Sequence, residues 1–475
     1  MRWSVLILVW LAAGTVVSAQ ESALHADFRR ESEHFSEACG KFGFKTVAGC
    51  GVELFTDHPL HIAAGSIAPQ NGFGLGGAFV THYTPNENWR LSWNFDAVGS
   101  TNGSWRAGGY MKIIHTPAQR IRVVVGPSGT AGKPTLAVHP YTVFNLYAES
   151  ISLNKLNFFG LGPDSTLAGK SLFGMQETIV GASAIKPVHE LAAIRKLNLA
   201  LLGEVNGRFV SLRGNHGTST PSIEQLYTEA TAPGLATQPA FAQLGEGVRI
   251  KPVLFGDLLQ LNYLASFQQF FAPSNSHYSF LRWTVDLGHS FQLYSHTKFY
   301  APQSYAPKDA NGPDECAPAP GAAKCPPVSF SRNLDGAIGI RLSLSESITS
   351  ASGVVPFYFQ QTLGGSDING SPSLGSYQDY RFRAPNVLLL RGSFEHSIWG
   401  PLGFSFMADQ AKVALTRGNI GFSHLAHSFS TGLTLRAGGF PQVYLLFSWG
   451  GKEGTHTIAN MNSSLLGGSG RPSLY

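Results

Sequence analysis

The chain has 475 residues, of which 13% are charged, and a formal net charge of +5. Ordinary soluble domains carry about 25% charge, while a mean hydropathy of +0.01 is too polar for a bundle of membrane helices. The basic residues are scattered with no dense Lys/Arg tract, which excludes nucleic acid as a partner.

The first residues read as a secretory signal. Met1-Arg2 supplies a positive start, Trp3 to Val17 is apolar, and Val17-Ser18-Ala19 offers small residues for cleavage. The apolar run is short for a spanning helix, which needs about 20 residues, so residues 1–19 are expected to be removed. No later stretch is long and apolar enough for a membrane helix. The remaining spanning solution that satisfies every backbone N–H and C=O in lipid is a closed β-barrel.

Residues 20–70 are expected to form a short periplasmic segment. Cys39 and Cys50 lie there, and Cys316 and Cys325 lie much later. In an exported chain these close pairs predict two local disulfides, each worth roughly 2.5–3 kcal/mol in the chain-entropy account. No Cys-x-x-Cys occurs and no His or Cys stands two to four residues from any of them, so neither a metal nor a cofactor is expected.

From about Phe73 the period becomes two. Leu91, Trp93, Phe95 and Ala97 oppose Ser92, Asn94 and Asp96. Leu199, Leu201, Val205 and Phe209 oppose Glu204, Asn206 and Arg208. Leu281, Trp283, Val285, Leu287 and Phe291 oppose Arg282, Thr284, Asp286 and Ser290. Ile338, Ile340 and Leu342 oppose Arg341 and Ser343, and Val443, Leu445 and Phe447 oppose Ser448. A secreted all-β sandwich shares this composition, but soluble strands average about 5–6 residues. Lys196 to Leu212 and Tyr278 to Tyr294 alternate for longer than the roughly 9–11 residues a tilted strand needs to span a bilayer. Their polar faces carry ionisable groups that a wide barrel can turn into its lumen. The pattern therefore predicts an all-β, transmembrane antiparallel β-barrel of about 16 strands over residues 71–466, with a Gly-rich tail at 467–475. Thr84 to Asn88 and Ala437 to Pro441 read as short turns. Gly214 to Gln238 and Ala301 to Pro327 read as long extracellular loops.

Several motifs resemble the Omp85 superfamily, the BamA-like bacterial surface antigens. Leu363-Gly364-Gly365-Ser366-Asp367 is similar to the start of that family's inward-folded loop. Asp379-Tyr380-Arg381-Phe382-Arg383, followed by Ala384-Pro385-Asn386, resembles its return. Phe158-Phe159-Gly160-Leu161-Gly162-Pro163-Asp164-Ser165 and Trp449-Gly450-Gly451-Lys452-Glu453-Gly454-Thr455-His456 resemble two further elements. Five strands fit after the loop, the family's count. The sequence departs at Leu374-Gly375-Ser376-Tyr377, where the family carries a tip Arg, and at Gln410-Ala411 after Asp409. The stretch before the first strand is also too short for a POTRA array.

The resemblance implies that residues 363–385 fold into the lumen and that a loop Arg pairs with a wall Asp. Asp409 has the inward parity of Ser405, and Arg381 and Arg383 are the candidates to replace the missing tip Arg. The alternative is that these charges simply line a solvated lumen. The implied function is outer-membrane biogenesis or transport of protein or lipid, at the bacterial outer membrane, with the lipid bilayer and other outer-membrane or periplasmic proteins as partners. Competing readings are a passive porin-like channel for small anionic solutes, an adhesin, and a hydrolase. The last lacks a nucleophile elbow at Gly365-Ser366-Asp367 and has His289 and His396 on outward rows, so no catalytic residues are expected and the chain is expected not to be an enzyme.

Overall fold

A computed structural model describes residues 60–86, 88–115, 141–188, 197–255, 258–300, 330–399, 402–435 and 443–461. The expected signal, the tail and all four cysteines lie outside the described residues.

The chain folds into a single large antiparallel sheet. In order its strands are β1 (Leu60–Ser66), β2 (Phe73–Asn86), β3 (Trp89–Ser100), β4 (Trp105–His115), β5 (Thr142–Phe158), β6 (Ser171–Pro187), β7 (Leu199–Gly214) and β8 (Phe241–Ile250). The two-residue β9 (Val253–Leu254) continues β8 past Pro252, where a missing N–H interrupts the ladder. Next come β10 (Leu259–Phe271), β11 (Phe280–Tyr300) and β12 (Phe330–Thr349). After a long connection follow β15 (Asn386–Trp399), β16 (Leu402–Ala414), β17 (Ala426–Leu435), β18 (Val443–Gly451) and β19 (Gly454–Met461). That connection holds the small hairpin β13 (Gln361–Leu363) and β14 (Phe382–Ala384). With β9 counted as part of β8, the seventeen strands of the sheet form sixteen staves.

The first stave, β1, lies within the segment that the sequence pattern assigns to the periplasm. Its core, Ala63-Ala64-Gly65, is small and buried rather than alternating, so it carries no period-two signal. The other staves follow the alternation. On β7, Leu201, Val205 and Phe209 are about half exposed (46%, 53% and 53%), while Glu204 and Asn206 between them are buried on the inner face. Leu91 to Phe95, Leu281 to Phe291 and Leu445 to Phe447 likewise stand on outer rows. An apolar belt of this extent is not stable in water, and it matches the outer wall of a membrane barrel.

The loop between β12 and β15 enters at one rim, here the loop rim. The opposite, far rim carries aromatic–histidine pairs on its outer face. Trp89 lies on His115 with ring centroids 4.5 Å apart. Tyr263 Oη lies 2.7 Å from His289, and Tyr294 crosses Gly336 to reach His396. A Cβ at Gly336 would sit 2.3 Å from the Tyr294 ring, so only glycine permits that crossing.

Strand order corrects one expectation. The connection after β7 leaves from the loop rim. Tyr300 and Phe330 stand at the far rim, three staves later, the same rim as the short turn after Asn86. Gly214 to Gln238 and the strand ends that flank Ala301 to Pro327 therefore stand on opposite rims, and Ala301 to Pro327 itself lies outside the described residues. β11 and β12 also stay paired to Tyr300↔Phe330, beyond the last partners of β10 at Phe291 and of β15 at Gly336. They project from the far rim as a two-stranded ribbon.

Candidate functional site: the lumen loop and its anchors

The connection from residue 350 to 385 turns back into the barrel, a longer inward segment than the expected 363–385. Its two limbs approach closely where Gly364 and Gly365 adopt φ of +106° and +61°. A Cβ on Gly364 would lie 2.6 Å from that of Arg381, and one on Gly365 would lie 2.7 Å from the Asp379 backbone. Only glycine allows this approach. The tip is held by backbone bonds from Tyr380 N–H to Gly364 O (3.1 Å) and from Ser373 N–H to Gly365 O (2.9 Å). Asp367 Oδ1 accepts from the N–H of both Asn369 and Ser371 at 2.9 Å, folding residues 367–371 into a side-chain-capped turn.

Asp409 faces inward, as its parity with Ser405 requires, but its charged partner is Arg391 on the adjacent stave rather than Arg381 or Arg383. The register sets Arg391 directly opposite Asp409. The guanidinium donates to both carboxylate oxygens at 2.7 and 2.9 Å, a bidentate pair with the guanidinium fork matched to the carboxylate. The pair then grips the loop by its backbone: Asp409 Oδ2 accepts from Leu374 N–H at 2.8 Å, and Arg391 donates to Pro372 O at 2.5 Å. Ser376 N–H donates to Ser428 Oγ at 2.9 Å one stave further on. The wall Asp thus anchors the loop without a loop arginine. Leu374, at φ +47° and fully buried, opens the 374–377 stretch that the sequence reading left without an arginine.

The two loop arginines have separate work. Arg381 pairs with Glu453 in the β18–β19 turn and donates to Ser165 Oγ and Ser165 O, both at 2.8 Å. Arg383 is buried against Phe158, Phe173 and Phe357, with its guanidinium carbon 5.7–5.9 Å from each ring centroid, and donates to Phe357 O at 2.8 Å. Ring faces attract a cation by roughly 0.5–2 kcal/mol each. Burial still pushes the guanidinium pKa down to about 10, which leaves it charged at neutral pH. Gly162 N–H donates to Arg383 O at 2.8 Å. The Phe158–Ser165 element and the 379–386 element, both singled out by resemblance, therefore meet in space.

Around this anchor the loop rim is a packed core. Phe357 is fully buried, with its ring edge-on to Phe158 at 5.1 Å and to Phe173 at 5.2 Å. Phe359 packs edge-on to Phe241 at 4.9 Å. Arg282 on the wall donates to Phe359 O at 2.6 Å. Beneath the loop is a polar cavity of about 270 Å³ lined by Glu177, Arg208, Gln360, Thr362 and Asn369. A second cavity, about 640 Å³, runs between the first and last hairpins, past Gln70, Phe73, Asp379, Tyr444 and His456. Asp379 is held above the ordinary carboxylate range by burial. The Gln70 amide, the Ser366 N–H, His456 and Lys170 draw it partly back.

The sequence pattern missed Arg391, Glu453 and Gln70. Arg391 could have been found as an arginine on an inward row beside the Asp409 strand. Glu453 stands inside the Trp449–His456 motif, which assigned it no partner, and nothing local marks Gln70, which acts from a turn. Among the described residues no group of His, Cys, Asp and Glu is placed to hold a metal ion.

Fold and site together define a sixteen-stranded antiparallel β-barrel with an apolar outer wall and a loop folded into its lumen. No family model matches the chain, and no curated protein matches it. Among solved structures it is similar to CdiB from Acinetobacter baumannii, at 10% identity and a TM-score of 0.44 over 85% of this chain. It thereby spans 59% of that CdiB chain. CdiB from Escherichia coli aligns at 10% identity and a TM-score of 0.45, over 85% of this chain and 60% of that one. BamA from Haemophilus ducreyi lacking POTRA domains 1-3 aligns at 10% identity and a TM-score of 0.44, over 85% and 68%.

Proposed function

We propose that this chain is an outer-membrane barrel of the Omp85 type that serves membrane biogenesis or the transport of protein or lipid, without catalysis of its own. One observation carries the reading. The loop that fills the lumen follows the eleventh of sixteen staves, leaves five behind it, and is anchored on the inward Asp409. That order matches the one the sequence motifs imply for the family. The barrel starts at the far rim with β1, so the far rim would be periplasmic and the loop rim external.

A passive anion pore is the rival. Inward Arg208, Arg282 and Arg391 favour it, but each contacts an acid or a carbonyl, and the aromatic core crosses the lumen above them. The test is planar-bilayer conductance of the purified full chain, with fractionation to place it in the outer membrane. The proposal expects small, intermittent conductance. A steady conductance of porin size, abolished by no loop substitution, would replace it with the pore. Recovery of the chain in the soluble fraction would remove both readings.

A further inference from the structure

One carboxylate faces the lipid side of the wall. On β8, Ala242, Leu244, Glu246 and Val248 are exposed and alternate with buried or half-buried residues. Their ladder partners Gly207, Val205, Gly203 and Leu201 form the outer row of β7. Glu246 sits midway between the ends of its strand, so its carboxylate lies at mid-depth in the apolar belt. The inward acids Glu177, Glu204 and Asp409 each accept a hydrogen bond from a wall side chain. Glu346 shares the outward parity of Glu246, but it lies near the loop-rim end of β12 and pairs with Arg417 at 2.9 Å. Among the described residues no hydrogen bond or ion pair reaches Glu246, and Gln269, diagonal to it on the same face, makes none either. A charge on the lipid face is unfavourable, most of all near the midplane.

Glu246 also stands beside an opening. A groove of about 560 Å³ crosses the outer wall there, between Leu201, Val248 and Ala265 towards the far rim and Phe267 and Trp283 towards the loop rim, with Glu246 on its edge. Register sets Gly203 and Phe267 directly opposite Glu246 on its two sides. Gly203 leaves the carboxylate uncovered on one side, since even a Cβ there would meet nothing within 4 Å. From β7 to β11 the groove crosses three stave spacings, roughly 14 Å at about 4.8 Å each. A helix with its side chains measures about 10–12 Å across, so one fits. Charge narrows the choice of occupant. A lipid tail fills an apolar floor but brings no donor, and lipid amines stay at headgroup level. A second copy brings no Lys or Arg to this depth, because on the described outward rows Lys186, Arg213 and Lys412 all stand close to strand ends.

We propose that this groove docks a membrane-spanning helix of another protein, which presents a Lys or Arg to Glu246 at mid-depth. Each charge alone is costly in lipid, and together they form a charge-assisted pair with no water to compete for it. The site rests on the reading of the chain as a membrane barrel, but not on what the barrel transports.

The test uses the full chain in phosphatidylcholine vesicles with two synthetic spanning helices, a poly-Leu peptide carrying one central Lys and the same peptide with Leu in its place. A photoreactive benzoylphenylalanine replaces Leu244, beside Glu246 on the outer row, or Leu433 on the outer row of β17 as the control. Val205, the ladder partner of Leu244, is the second site for the probe if the first variant does not fold. Photo-crosslinking from Leu244 is expected to capture the Lys peptide about tenfold or more over the Leu peptide. Glu246→Gln should bring that ratio close to one, and from Leu433 the two peptides should crosslink equally. Equal capture of both peptides beside Glu246 in wild type overturns the site, as does a Lys preference that survives Glu246→Gln or recurs at Leu433. A chain that does not enter the vesicles removes the membrane reading and the site with it, whereas an inserted chain without Lys preference removes the site alone.

Discussion

Two zones of the same lumen solve burial differently. At the loop rim, inward side chains and the loop form a dry core around Phe158, Phe173, Phe357 and Tyr380. Lower down the same wall the inward rows are polar and internally paired. Tyr110 Oη donates to Glu149 at 2.6 Å, Tyr147 Oη to Glu204 at 3.0 Å, and Arg208 Nη1 to Glu177 at 2.8 Å. Both zones obey one alternation. Facing inward therefore does not mean facing water: the inner face is dry where the aromatic part of the loop packs against it and polar elsewhere, including where Asp409 and Arg391 hold the loop backbone. The expected wet lumen holds for only part of the barrel's height.

Five substitutions would break or sharpen that contrast, and chemical or thermal unfolding in detergent reads them all. Phe357→Ala should have the largest effect, about 4 kcal/mol of lost stability, since it empties a fully buried ring site that its neighbours cannot refill. It should also raise bilayer conductance by opening the dry zone. A loss below about 1 kcal/mol would mean that the aromatic cluster is not a core. Asp409→Ala comes next, at about 3 kcal/mol, because it strands Arg391 as a buried unpaired charge and releases Leu374 N–H. Arg391→Met in the same chain should recover part of that loss, and no recovery would show that the pair acts only through the loop backbone. Glu204→Gln in the polar zone should cost about 1 kcal/mol, since an amide can still bond Tyr147 and Asn206.

The smallest effect is a pH dependence at Asp379. Its carboxyl pKa is raised in the folded state by burial. The native state therefore binds more protons than the unfolded chain between the unfolded value, about 3.9, and the raised folded value. Stability from this group is full below the unfolded value and declines as pH rises through the folded one. Asp379→Asn cannot ionise, so its stability relative to wild type should improve from pH 4 to pH 7. A difference that stays flat, or runs the other way, would show that the hydrogen bonds from Gln70 and Ser366 outweigh burial.

Much of the architecture was legible before any coordinates. The rows of β7, β11 and β18 face as their alternation requires, and five staves follow the loop as expected. β1 was not legible, because Ala63-Ala64-Gly65 has no contrast between its faces. Strand parity was enough to place Asp409 inside the barrel, but not to choose its partner. Arg381 and Arg383 are nearer the expected loop tip, yet register sets Arg391 opposite Asp409. The far-rim position of Tyr300 also needed the full count of staves, since one missed strand exchanges the ends of every later loop.

Taken alone, the amino-acid order determined which side of every alternating stave, β1 excepted, faces outward, because that follows from a local period of two. It also marked the tight return inside the loop, because Gly364-Gly365 permits it, but not that the chain leaves the wall already after Thr349. Tertiary structure decided which charges pair and which zone of the lumen is dry. Those outcomes depend on register and on contacts between residues hundreds of positions apart, such as Gln70 with Asp379, and no local pattern encodes them.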